Sequence, residues 1–142
     1  MTETDKLSIE WHCTKLCNQF ANLGDLNDFK ALSLLFTEDG SMSRPSVPEV
    51  DIKGRQTIID AFMQRPPLVI RHIVTNCVIS VISETEATGF SLVIYLAAPH
   101  TDAALPLVAG PIQVGQFKDK FVNTGDGWKF KERKGQLALK TN

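Results

Sequence analysis

Gly115-Gln116-Phe117-Lys118-Asp119-Lys120-Phe121-Val122, followed by Asn123-Thr124-Gly125-Asp126-Gly127 and then Trp128-Lys129-Phe130-Lys131, is the stretch on which the fold turns. Side chains of an extended strand alternate between two faces. Phe117, Asp119 and Phe121 therefore oppose Lys118, Lys120 and Val122, and beyond the turn Trp128 and Phe130 oppose Lys129 and Lys131. An apolar face backed by a lysine face marks an antiparallel sheet with one side on a core and the other in water. The glycine-rich segment between the two runs predicts a hairpin.

Working outward, β-branched residues dominate everything after Pro66-Pro67, and turn signals divide it into four extended segments, at 68 to 82, 86 to 98, 110 to 123 and 127 to 139. Ser83-Glu84-Thr85-Glu86 predicts a second hairpin, and His100 to Ala109 a loop. Ahead of the two prolines the period changes. Ile9, Cys13, Leu16, Phe20 and Leu23 recur every three to four residues and predict a helix over Ser8 to about Leu23, broken at Gly24. A second helix carries Phe29, Leu32, Leu35 and Phe36, and a third, over Gly54 to Gln64, carries Ile58, Ile59 and Phe62. Thr37 to Gly40 reads as a turn, and residues 41 to 53, with Pro45 and Pro48, as a short strand followed by a loop. Helices first and a long antiparallel sheet afterwards predict an α+β fold in which three helices cover one face of a curved sheet. Such a sheet leaves a cavity at its open end, where ligands bind.

The length of 142 residues suits a single domain over 1–142. A formal charge of −1 supplies no global field for nucleic acid or an anionic membrane, and the lysines of the C-terminal strands are not interleaved with aromatics on their own face. The longest apolar runs are too short to span a bilayer. Residues 1–11 lack the basic and then apolar pattern of a secretory signal, and Cys13, Cys17 and Cys77 form no disulfide framework. The expected compartment is the cytoplasm. Cys13 and Cys17 lie one helical turn apart, but a metal site would need further ligands, and cysteine on an apolar helix face serves as a small hydrophobe. No metal is expected.

Chemistry-bearing residues are few. In Leu68 to Asn76, His72 shares a strand face with Ile70, Val74 and Asn76, so a side chain of the type suited to proton transfer stands among apolar neighbours. It is either a proton-transfer group or a hydrogen-bonded core residue. Asp25 stands where helix two needs an N-cap, or it faces the cavity. Asn76 lines the cavity or ties down a strand edge. Asp119, on the face of Phe117 and Phe121, requires a partner, either Arg133, Arg71 or a backbone amide, unless it is a second cavity carboxylate.

Phe20-Ala21, Asp25-Leu26-Asn27-Asp28-Phe29, Leu35-Phe36-Thr37-Glu38-Asp39-Gly40, Gly54, Arg71-His72-Ile73-Val74-Thr75-Asn76, Gly115 to Asp119 and Gly127-Trp128-Lys129-Phe130, in this order, resemble the SnoaL-like group of the nuclear transport factor 2-like superfamily over nearly the whole chain. The resemblance implies a cone-shaped barrel with a deep apolar pocket, often dimeric through the outer sheet face. Within the superfamily the residues look most like the scytalone dehydratase branch, alongside polyketide cyclases and ketosteroid isomerases. There an aspartate before helix two and a strand histidine line the pocket, positions matched by Asp25 and His72. The implied activity is that of a lyase or isomerase acting without a cofactor on an apolar carbonyl compound, with His72 as acid–base and Asp25 as its partner. Asn76, Tyr95, Asp119, Phe20, Leu16, Phe62 and Phe117 are the expected pocket residues. Phe20 and Gly24 occupy helix-one positions where that branch has tyrosines, and Tyr95 is the one tyrosine of the chain. The alternative is a non-catalytic module that binds an apolar ligand or dimerises.

Overall fold

The computed structural model describes residues 1–102 and 104–142, so Ala103, within the loop expected over His100 to Ala109, lies outside the described residues. The chain runs α1 (Glu3–Asp25), α2 (Phe29–Ser33), β1 (Phe36–Arg44), β2 (Val47–Lys53), α3 (Arg55–Met63), β3 (Leu68–Val81), β4 (Glu86–Pro99), β5 (Gln113–Thr124) and β6 (Gly127–Lys140). One sheet of order β2-β1-β6-β5-β4-β3 curves around the helices. It is antiparallel except where β1 pairs in parallel with β6. The predicted α+β architecture and its four long strands are what the chain adopts, with β5 beginning three residues later than expected.

The first half departs from the sequence reading. Helix α1 begins at Glu3 because Thr2 and Asp5 close a reciprocal capping box, and it continues through Gly24. It ends only where Asn27 takes a left-handed conformation (φ 60°), with the Asp28 amide bonded to the Leu23 carbonyl. Asp28, not Asp25, caps α2 through the Ala31 amide. Helix α2 lasts only five residues, so Leu35 follows it and Phe36 opens β1. Thr37 to Gly40 is strand rather than turn, and the loop expected before α3 is β2. β2 tolerates Pro48 because it is an edge strand.

The core lies between α1 and the concave sheet face. Phe20 meets Phe36, Phe62, Phe117 and Phe130 edge-on, at centroid separations of 5.8–6.1 Å. Bulges supply the curvature. In β6, Phe121 pairs with Phe130 while Lys120 pairs with Glu132, leaving Lys131 extra. Both Phe130 and Arg133 thereby point inward. In β3 a similar irregularity lies between Thr75 and Val78, where Asn76 has φ 52°. Among the described residues no helix is long and apolar enough to cross a membrane.

Candidate active site

Between α1, the β1–β2 turn, the end of α3 and the concave strands lies a cavity of about 280 Å³. Buried Phe20, Met42, Phe117 and Arg133 form its floor, while exposed Ser46, Pro66 and Leu68 stand at its mouth. Its walls are mainly apolar, as in small-molecule sites generally.

His72 projects into this cavity from β3, directly across from Tyr95 of β4, with ring centroids 5.4 Å apart. Asp25, in the last turn of α1, reaches it twice. Its Oδ2 accepts the His72 backbone amide at 2.8 Å, and its Oδ1 lies 2.6 Å from Nδ1. A carboxylate can only accept, so Nδ1 carries the proton, and the tautomer with Nε2 unprotonated presents that nitrogen's lone pair. The Asp25 side chain is 7 % exposed and the His72 side chain 25 %, so the pair is anchored in dry surroundings while the imidazole keeps an open edge. Such a clamp holds one tautomer and one ring orientation, as general acid–base work requires.

Phe20, Phe62, Phe117 and Tyr95 line the cavity. Leu16 is buried in the core and does not border it. Asn76 also lies away from it, exposed at the β3 bulge, where the irregular step cancels the alternation that would have aligned it with His72. Asp119 stands behind the wall, 3 % exposed. Its Oδ1 lies 3.0 Å from Arg133 Nε, and its Oδ2 accepts the Cys17 thiol at 3.6 Å. Burial pushes its carboxyl up, while Arg133 and Cys17 pull it back. Arg133 in turn lies over Phe117, Phe130 and Phe20, 3.9–4.7 Å from the ring centroids.

Sequence reasoning missed Arg44 and Arg65 as cavity cations, and named Arg133 only as one possible partner of Asp119, a pairing the structure shows. Plain alternation from Phe130 would send Arg133 outward, and only the bulge at Lys131 brings it in. Arg44 and Arg65 each precede a proline outside any periodic run. Their bond to Ala61, and to Gly24 and Asn27, respectively, comes from tertiary packing alone.

The sequence profile of the SnoaL-like domain matches residues 5–134. The chain belongs to this family. No curated protein sequence matches it. Among solved structures, a scytalone dehydratase-like protein from Novosphingobium aromaticivorans superposes with a TM-score of 0.80 at 24 % identity, covering 99 % of this chain and 91 % of that one. A hexachlorocyclohexane dehydrochlorinase, LinA type 2, gives 0.82 at 15 % identity, over 99 % and 92 %. ActVI-ORFA from Streptomyces coelicolor gives 0.73 at 20 % identity, over 91 % and 97 %. At these identities the likeness establishes the cone-shaped fold of this SnoaL-like chain and leaves its chemistry to its own residues.

Proposed function

We propose that this SnoaL-like protein is a cofactor-independent lyase or isomerase of the dehydratase or cyclase kind, acting on an apolar carbonyl compound. The observation that carries the reading is the Asp25–His72 pair, clamped through Nδ1 and the backbone amide with the other ring edge open to the cavity. His72 Nε2 removes a proton from the carbon beside the carbonyl, and the electron pair left behind enters the carbonyl as an enolate. The imidazolium, stabilised by Asp25, returns the proton either to a departing hydroxyl, which leaves as water, or to another carbon. Tyr95, across from His72, is the one phenol positioned to donate to the enolate oxygen. Asp25 acts through His72 and is a positioning residue.

The test begins with a thermal-shift screen of carbonyl metabolites, since a ligand that binds the native state raises its apparent stability. A hit is then followed in deuterium oxide. Wild type exchanges the proton beside the carbonyl, and folded His72→Ala does not. Unchanged exchange in His72→Ala sinks the assignment. The second reading, a ligand-binding module, is favoured by Phe20 and Gly24, which leave the α1 side of the cavity without a phenol; binding with no exchange in wild type would select it.

The same proposal has residues 1–142 acting as one domain and pairing as a homodimer through the outer sheet face, where Ile73 and Val78 are exposed. Free Cys13, Cys17 and Cys77 support a reducing compartment such as the cytoplasm. Sedimentation of Ile73→Glu against wild type tests the dimer: equal masses remove it.

A further inference from the structure

The cavity wall is electrically unbalanced. Arg44, Arg65 and Arg133 line it, and among the described residues no Asp or Glu does. Arg133 has its counter-ion, Asp119, just behind the wall, and His72 is hydrogen-bonded there to Asp25. For Arg44 and Arg65, no carboxylate lies within ion-pair distance among the described residues.

Both guanidiniums are nevertheless held firmly. Arg44 donates from Nη2 to the Ala61 carbonyl at 2.6 Å, and Arg65 from Nη2 to the Gly24 carbonyl at 2.8 Å and Asn27 Oδ1 at 3.2 Å. Each guanidinium carbon lies 5.1 Å from the centroid of the same ring, Phe62, and Arg65 also lies 5.2 Å from that of Phe29. Tying down the ends of α1 and α3 accounts for one Nη2 on each residue. It does not account for the remaining donors, nor for Arg65 Nε, which is buried with no acceptor. Burial opposes the charge on both side chains, and Arg44 adds to the opposition at Arg65. Asp25 acts on Arg65 favourably but from beyond ion-pair distance, so two partly desolvated, fixed cations beside an apolar chamber, neither in contact with a carboxylate among the described residues, constitute half of a charge pair.

The geometry points to an acid as the ligand of this cavity: an apolar body carrying one carboxylate, the carboxylate held at the mouth by Arg44 and Arg65, the body lying along Phe20, Phe117 and Val93 beneath His72. A planar carboxylate matches the guanidinium fork in shape and brings the single negative charge the wall lacks. The walls beyond the arginines supply apolar surface for a hydrocarbon or aromatic remainder. The inference rests on the acid–base reading of His72 only for the fate of the ligand and not for its capture.

The probes are 2-naphthoate and its neutral isostere 2-naphthamide, titrated calorimetrically into the intact protein. Wild type binds the acid at least about tenfold more tightly than the amide, because charge-assisted bonds to fixed donors favour the anion. Arg44→Met and Arg65→Met, which keep much of the apolar stem, each bring acid affinity down toward that of the amide, whereas Arg65→Lys retains part of the preference. His72→Ala leaves the preference intact, so a failure of the acid–base chemistry shows itself separately, as lost proton exchange with unaltered selectivity. Equal affinities for the two probes in wild type, or no binding of the acid up to millimolar concentration, overturn the inference, and this comparison decides it even if an arginine variant does not fold. A preference that survives in the folded Arg44→Met/Arg65→Met variant overturns it as well.

Discussion

Removing Asp119 will destabilise the protein far more than removing the Asp119–Arg133 pair together. Asp119 is 3 % exposed and Arg133 1 %, with Nε and Oδ1 3.0 Å apart, so neither charge has water to fall back on. Asp119→Ala strands a guanidinium among Phe20, Phe117 and Phe130 with Ser91 Oγ, at 3.5 Å, as its remaining hydrogen-bonding neighbour. Breaking a buried pair in this way costs about 3–5 kcal/mol, whereas exchanging both partners for apolar residues of similar volume is often neutral or stabilising. Asp119→Leu/Arg133→Met is therefore expected within about 1 kcal/mol of wild type, methionine packing well against the three rings. Urea unfolding monitored by Trp11 and Trp128 fluorescence measures both variants, and in a thermal scan Asp119→Ala should lower Tm by about 10–15 °C. If Asp119→Ala costs less than about 1 kcal/mol, or the double variant is as unstable as the single one, the two charges do not compensate each other as their 3.0 Å contact implies.

Asp25→Asn should lower turnover of a confirmed substrate by about 10²–10⁴-fold, chiefly in kcat, because the amide no longer holds the Nδ1 proton as a carboxylate does; a change confined to KM would contradict the positioning role. The Cys77 thiol is brought down to about 7, first by its hydrogen bond with Cys17, and Cys13 is pushed up to about 12 by burial. Alkylation by iodoacetamide should thus strike Cys77 first, with a midpoint near about 7 that rises in Cys17→Ala. Since the folded value lies below the unfolded one, this group's stabilisation is full above the ordinary thiol range and is lost as the pH falls through about 7. Gly135→Ala would set a Cβ 2.6 Å from Pro45 N and 2.8 Å from the Ser43 carbonyl, so β6 must shift from the β1–β2 turn, at a cost of about 1–3 kcal/mol in chemical denaturation.

The long strands and α1 were legible because each carries a sustained period, two residues in one case and 3.6 in the other. β1 was not: Thr37-Glu38-Asp39-Gly40 has turn chemistry, yet Gly40 is in strand because a side chain there would meet Phe36 and the Phe130 carbonyl at about 3 Å. A bulge defeated the face assignment of Asn76, since alternation propagates only until one extra residue intervenes, and another at Lys131 is what allows Arg133 to meet Asp119. His72 was visible as an imidazole on an apolar strand. Its link to Asp25 came from the family resemblance, because local sequence left Asp25 equally open to a capping role, which Asp28 takes instead. Arg44 and Arg65 acquire their place only when three distant elements meet, and no local pattern encodes that.

The extra residue at Lys131 separates two properties that a strand normally binds together. Deleting it leaves Phe130 opposite Phe121, Glu132 opposite Lys120 and Arg133 opposite Asp119, so every ladder partner survives. Only the bend is lost. Chamber size in this architecture is thus adjustable by single-residue insertions and deletions at strand positions, such as Lys131, that do not themselves line the cavity. Descendants of such a chain can change what they accommodate while every wall residue, and the acid–base pair itself, keeps its identity.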